Sequence, residues 1–370
     1  MMMLVALAGL TLILMVLWDA FETILLPRRI PTRWRISRLT LRGLWTAWAA
    51  LGRRIPRRNA REDMLGLYAL LALIGLLVIW ATGLIFGFAL LYRATGSAMV
   101  TAGGPVNFRT DLYMSGTTFF TLGLGDVAPA SPMARLLAVT EAGTGFGFLA
   151  LVLSYLPVLY QAFSRRETRI TMLDEWAGSP PTAAVLLRRC FESRDPDGVL
   201  KTLLRDWEMT SAEILESHMS YPILAYFRSQ HDNQSWLAAL TAVLDTCALA
   251  IVGVEGIDPF QARLTFAIGR HTLVDVSQIL RRRPTGAAAA RDRAEPVREL
   301  REWLAGAGVK LAEGPDADLR LAELRALYGP YVEELSRLLL MPLPPWLPPE
   351  KARYNWETTA WARTGRGDVH

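Results

Sequence analysis

Three long apolar stretches, Met1 to Leu26, Met64 to Tyr92 and Met133 to Phe163, constrain this chain more than any other feature. A bilayer needs about 20 predominantly apolar residues to be crossed as a helix, and each stretch meets that length. With 52% hydrophobic residues over 370, a disordered or collagen-like chain is excluded. The first stretch lacks the basic leader and small-residue cleavage site of a signal peptide, and reads as a retained helix. Near its end Asp19 and Glu22 share one helical face. Arg28 and Arg29 follow, so interfacial salt bridges are expected there. Cys190 and Cys247 are too few for a disulfide framework and are not spaced as a zinc site.

The loops set the orientation. Between Pro27 and Asp63 lie 11 Arg and two acids, whereas the loop from Arg93 to Thr110 carries only Arg93 and Arg109. The positive-inside rule places the first loop in the cytoplasm, hence the N-terminus outside and everything after Phe163 inside. In the basic loop Trp34, Ile36, Leu39, Leu41, Leu44, Trp45 and Trp48 interleave with Arg35, Arg38 and Arg42. That pattern suits a helix lying among anionic lipid headgroups. Arg with Trp could also meet nucleic acid, but the position between two spans favours lipid.

Residues 110–132 read TDLYMSGTTFFTLGLGDVAPASP, on the outer side between two spans. Irregular backbone survives at membrane depth only where protein or water covers it. Gly123 and Gly125, two apart, can take positive φ and so let successive carbonyls point the same way. Four such strands around an axis would stack rings of carbonyl oxygens from Thr121, Leu122, Gly123, Leu124 and Gly125, which replace a cation's hydration shell. Residues 111–120 would form a short helix of about 15 Å whose C-terminal dipole end favours a cation.

These residues resemble the potassium channels of the outer helix, pore loop, inner helix type. Thr118, Thr121, Gly123, Gly125 and Asp126 match the pattern T-x-x-T-x-G-x-G-D, Tyr113 takes the aromatic position early in the pore helix, and Ser131-Pro132 opens the inner helix. Gly145, nineteen residues after Asp126, falls at the gating-hinge position, and Gly147 matches a second common glycine. The resemblance covers about residues 64–163. It implies an all-α membrane protein: a tetrameric potassium-channel pore fold with a re-entrant pore helix and filter, plus an all-helical cytoplasmic domain. One pore loop per chain implies a homotetramer. The filter is TLGLG where the commonest is TVGYG, which leaves a weakly selective cation channel as an alternative. No cofactor is implied beyond permeant K+, and no catalytic residue. No span carries an Arg repeat, so no voltage sensor is expected.

Thr117, Thr118, Asp126 and Glu141 are candidate filter supports. Glu141 could bond Thr117 or Thr118 behind the filter, add negative potential near the cavity, or be a satisfied buried carboxylate. Pro157 should bend the inner helix near its cytoplasmic end. Phe146, Leu149 and Leu153 are candidate cavity-lining residues by their spacing from Gly145.

The layout expected is an N-terminal span and basic loop (1–63), a pore domain (64–163, with outer helix 64–92, pore helix 111–120, filter 121–125 and inner helix 132–163), a helical cytoplasmic domain (164–340) and a Pro-rich, disordered tail (341–370). In the cytoplasmic half, apolar positions recur at helical spacing over residues 183–194, 197–218, 221–230, 233–253, 258–282, 296–304 and 319–340. Residues 236–254 hold one charge, Asp245, and could pass for a fourth span. A mid-segment acid without flanking Arg reads instead as a buried core helix. His218, His231 and Asp232 form a candidate metal or ligand site, which would suit a membrane-anchored sensor or hydrolase. The 13-residue gap between the histidines is short for a metal-dependent phosphohydrolase. No G-x-G-x-x-G follows a strand, so no nucleotide-binding regulatory domain is expected and the gating ligand is open.

Overall fold

The computed structural model describes residues 1–24, 36–101, 103, 105–229, 233–284 and 297–349. The chain divides into two compact units, Met1–Gln161 and Ala162–His370.

In the first unit α1 (Met2–Ile24) lies along α3 (Arg58–Ala94). Glycines set the closeness of that crossing. A Cβ on Gly9 would stand 2.7 Å from the Gly87 carbonyl, and one on Gly87 2.6 Å from Ile13. Small residues of this kind let apolar helices meet backbone to backbone. Between them α2 (Ile36–Gly52) follows the first span and leans on α3, with the rings of Trp45 and Tyr68 edge to face at 4.7 Å and Trp48 donating to the Met64 carbonyl at 3.0 Å.

Asp19 ties three helices together. Its carboxylate accepts from the Ser37 amide (2.9 Å), the Ser37 hydroxyl (3.0 Å) and the Trp80 indole (2.8 Å), joining α1, α2 and α3. Among the described residues, neutral donors on α2 and α3 meet this buried acid. Arg28 and Arg29 lie outside the described residues, as do Trp34 and Arg35.

The outer helix α3 is longer than the apolar stretch predicts, because the polar run from Arg58 continues the same helix. Its core stripe is Leu76, Trp80, Leu84, Phe88 and Tyr92, one residue per turn. After it come β1 (Met99–Thr101), α4 (Phe108–Phe119), β2 (Val127–Pro129) and α5 (Pro132–Ala177). The strands pair antiparallel, Val100 opposite Ala128, and anchor the far end of the pore loop. Among the described residues this two-stranded ribbon and a single bridge between Val254 and Leu311 interrupt a mostly helical fold. The Ser131 hydroxyl caps α5 by accepting from the Ala134 amide at 3.1 Å.

The second unit holds the end of α5 and α6 (Ala183–Phe191), α7 (Pro196–Ser220), α8 (Trp236–Gly253), α9 (Phe260–Ile279), α10 (Val297–Ala305), α11 (Pro315–Ala326) and α12 (Gly329–Leu339). The apolar segment at 236–253 is its central helix. Nearly every α8 residue is buried within the unit, and Asp245 accepts from the Tyr328 hydroxyl. A core helix is therefore the correct reading of that segment in this fold.

Two helical expectations fail. Of the stretch 221–230, the described residues through 229 form only a 3-10 turn, Pro222–Tyr226. The buried Arg166 guanidinium donates to the carbonyls of Leu224 and Phe227 at 2.8 and 3.0 Å, and Leu224 also accepts the turn's closing bond from the Phe227 amide at 3.1 Å. Residues 319–340 are two helices, not one, because Gly329-Pro330 follows Tyr328 and Pro330 cannot donate across the break. Beyond α12 the Pro-rich run has no regular structure through residue 349. It is tied down by buried Met341 and by Trp346 beneath the Arg325 guanidinium at 4.4 Å. The remaining tail lies outside the described residues.

Candidate functional site

The pore loop begins earlier than Asp111. Asn107 caps α4 in a reciprocal box: its side chain accepts from the Arg109 and Thr110 amides, and its amide donates to the Thr110 hydroxyl at 3.2 Å. Helix α4 thus starts at Phe108 and ends at Phe119. Asp111, one turn in, is buried and accepts from Ser97 at 2.8 Å.

The exit from α4 is the decisive local feature. The Leu122 amide donates to the Thr117 carbonyl at 2.8 Å and the Thr121 amide to Thr118 at 2.9 Å. That is a Schellman closure with Thr121 in the left-handed position usually held by glycine. Thr121 has φ 55°, Gly123 57° and Gly125 79°, while Leu122 and Leu124 between them stay at negative φ. Alternation of this kind turns successive carbonyls toward one side of the strand. A Cβ on Gly123 or Gly125 would meet no neighbour, so glycine is needed there for backbone conformation alone. For the β-branched Thr121 the same φ is strained, and two hydrogen bonds hold it.

Support behind the loop comes from three places. Tyr113 donates to Asp126 at 2.8 Å, tying the pore helix to the loop's outer end. Glu141, fully buried on α5, contacts the Ser115 hydroxyl and accepts from Tyr92 at 2.9 Å. Thr117 donates back to Met114 in its own helix at 3.0 Å, and of the readings given for Glu141 above the geometry fits the satisfied buried carboxylate. Gly145 is a contact point. A Cβ there would sit 2.0 Å from the Phe119 carbonyl, so α5 crosses directly under the end of the pore helix.

Ser115 and Tyr92 were missed by sequence reasoning, which treated Tyr92 as the end of a span. The lone acid in an apolar helix signals that a polar partner is needed, but not which one. Phe146, Leu149 and Leu153 are exposed on one face of α5, Phe146 at 69%, and nothing surrounds Gly147 within 4 Å. Pro157 lies inside α5, which continues through it.

His218 lies apart in the second unit. Its Nδ1 faces the Ile214 carbonyl at 2.8 Å and its Nε2 faces Arg166 at 3.4 Å. Burial, then the Arg166 charge, holds its pKa down at about 3. Both ring nitrogens are occupied by protein groups. His231 and Asp232 lie outside the described residues. Among the described residues no cluster of three His, Cys, Asp or Glu could hold a metal ion.

Two spanning helices around a short re-entrant helix and a loop of alternating φ are the parts of an ion-channel pore. Residues 70–161 match the family model described as Ion channel. The chain is a membrane protein carrying an ion-channel pore domain. Over 204 residues it is 26% identical to the uncharacterized membrane protein YdjJ of Bacillus subtilis (strain 168), covering 54% of this chain and 58% of that protein. The chain thus spans little more than half the length of this curated relative. No solved structure matches it.

Proposed function

We propose that the chain is one subunit of a homotetrameric potassium channel of the cell inner membrane. The observation that carries this reading is the left-handed backbone at Thr121, Gly123 and Gly125. One such strand offers carbonyls on one side only, so a cation's shell needs several copies around an axis. Further support is the apolar surface that one chain leaves open beside the loop: Phe120, Leu122, Leu124 and Phe146 are all exposed. Neighbouring subunits and lipid would cover it.

Ions pass down their gradient, dehydrated by carbonyls of Thr121 to Gly125. The pore helix points its C-terminal dipole end toward the cavity, and Tyr113 with Asp126 braces the outer mouth. Gating occurs along α5 near Gly145, Gly147 and Pro157, with Leu149 and Leu153 lining the cavity. The second unit modulates the gate, since α5 supplies residues to both units. The N-terminus lies outside, the second unit is cytoplasmic, and α2 rests on anionic lipid through its exposed Leu39, Leu44 and Leu51.

Potassium flux into proteoliposomes, with sodium as control, tests the reading. Uptake of potassium well above sodium is expected; no flux of either ion overturns it. A weakly selective cation channel is the second reading, favoured by Leu124, whose exposed side chain stands where an aromatic ring commonly braces the filter. Equal permeabilities from bi-ionic reversal potentials would decide for it.

A further inference from the structure

Ser115 has one hydroxyl proton and two acceptors. Its Oγ lies 2.7 Å from the Ile85 carbonyl on α3 and also contacts Glu141 Oε1. A carbonyl can only accept, whereas a carboxylic acid can also donate, so both contacts are hydrogen bonds only when the Ser115 proton lies on the Ile85 contact. The other contact then needs its proton from Glu141. The second carboxyl oxygen, Oε2, accepts from Tyr92 at 2.9 Å. The hydrogens then run along one line, Tyr92 to Glu141, Glu141 to Ser115 and Ser115 to Ile85.

We propose that Glu141 is a neutral carboxylic acid whose proton positions the selectivity filter, so that loss of this proton at alkaline pH shuts conduction. The proposal deepens the channel reading and rests on it. Ionised Glu141 has no proton to give. Ser115 must then turn its own proton from Ile85 to the carboxylate, and the pore helix loses its tie to α3. The disturbance has a direct route to the filter, because Ser115 and Glu141 lie one turn before Phe119 and Gly145, the next contact between the same two helices. The carbonyls of Thr117 and Thr118, on that last turn, hold Thr121 in its strained conformation.

Glu141 acts through the pore helix and is a positioning residue. The titratable group facing it from α3 is Tyr92. On α4 the nearest acid, Asp111, is turned to Ser97, to which Arg93 also donates, and Asp126 is held by Tyr113 at the far end of the loop. On α5 the nearest charged side chain, Arg135, donates to the Pro129 carbonyl.

The full chain in proteoliposomes is assayed for potassium flux from about pH 5 to about pH 10, the range that buried carboxyl groups span. Infrared difference spectra are recorded over the same steps. Wild type is expected to lose tenfold or more of its flux on the alkaline side, together with a protonated-carboxyl C=O band. Glu141→Gln, which keeps one donor and one acceptor, should lack the band and show a neutral-to-alkaline flux ratio near one. Tyr92→Phe removes a donor that a carboxylate needs more than its acid does, and should move the midpoint of the fall to higher pH. A carboxyl band absent at neutral pH, an alkaline fall retained in Glu141→Gln, or an unmoved midpoint in Tyr92→Phe overturns the proposal. Should Glu141→Gln fail to fold, Tyr92→Phe and the wild-type band still decide. A chain that shows the band and its loss but conducts at no pH overturns the channel reading and the filter role with it. One that conducts without a pH-linked band overturns this proposal alone.

Discussion

Helices α5 and α8 are both apolar enough to cross a membrane, yet 11% of the most apolar window of α5 is buried within the chain against 89% for α8. The two helices differ in what covers them. α8 is surrounded by its own unit and has its acid met by Tyr328, so its apolar character is spent inside the chain. α5 leaves Phe146, Leu149 and Leu153 uncovered, while Ala134, Glu141, Gly145 and Phe148 hold its other side against its own unit. Hydropathy measures how much apolar surface must be covered; tertiary contacts determine whether the same chain covers it.

The largest expected effect comes from the point where α5 meets the pore helix. Gly145→Ala places a methyl group 2.0 Å from the Phe119 carbonyl, a distance no side chain tolerates, so backbone must shift at the last turn before the filter. Flux should fall by at least about 100-fold, or roughly 3 kcal/mol of lost stabilisation of the conducting form. Gly147→Ala, with open space around it, is the matched control and should keep most of the flux. Equal loss in both would remove the contact from the account and return Gly145 to a purely flexible role.

The opposite result is expected in α8. Leu240 is fully buried, and Leu240→Ala should cost about 2–5 kcal/mol, read as a lower unfolding midpoint of the full chain in detergent. Any tetramer that survives should keep wild-type ion selectivity. A change of selectivity without loss of stability would mean that α8 belongs to the pore after all.

A smaller effect separates the units by pH. His218 titrates near 3 when folded and near 6.5 when unfolded. Between these values the unfolded chain binds a proton that the folded chain does not. Stability from this site is therefore complete above about pH 6.5 and falls as pH drops, by up to about 1.4 kcal/mol per unit. His218→Gln should flatten the acid limb of the unfolding midpoint without touching the alkaline flux profile assigned to Glu141. An unchanged acid limb would sink this role for His218.

Much of this contrast is legible in the sequence, and the illegible part has a common cause. The spans, the basic loop and the alternating glycines of the filter are local patterns, visible within windows of 5 to 30 residues. The lone charge of Asp245 was enough to mark α8 as a core helix. The partners of Glu141 lie 49 and 26 residues away in sequence, and Trp80 lies 61 from Asp19. No periodicity encodes which of several hydroxyls will face a buried acid. The broken helices at 221–230 and 319–340 fail for a related reason. Arg166, 58 residues upstream of Leu224, competes for backbone carbonyls that helical spacing alone assigns to the ladder. Thr121 in a glycine position was missed because propensity forbids what the pore helix's closing hydrogen bonds impose.

The smallest stability effect sharpens the comparison most. Leu153 on α5 has the same side chain as Leu240 but is 63% exposed on the single chain. Leu153→Ala removes little buried surface inside the subunit, so the unfolding midpoint should move by no more than an exposed substitution does, about 0.5 kcal/mol. Its effect belongs to conduction. A narrow ring of leucines repels water, and shortening it should raise single-channel conductance or open probability. The same Leu→Ala change would then act on stability alone in α8 and on conduction alone in α5. If Leu153→Ala instead lowers the midpoint as far as Leu240→Ala does, the exposed face of α5 is a subunit contact carrying folding energy, and the cavity must be lined by another face of the helix.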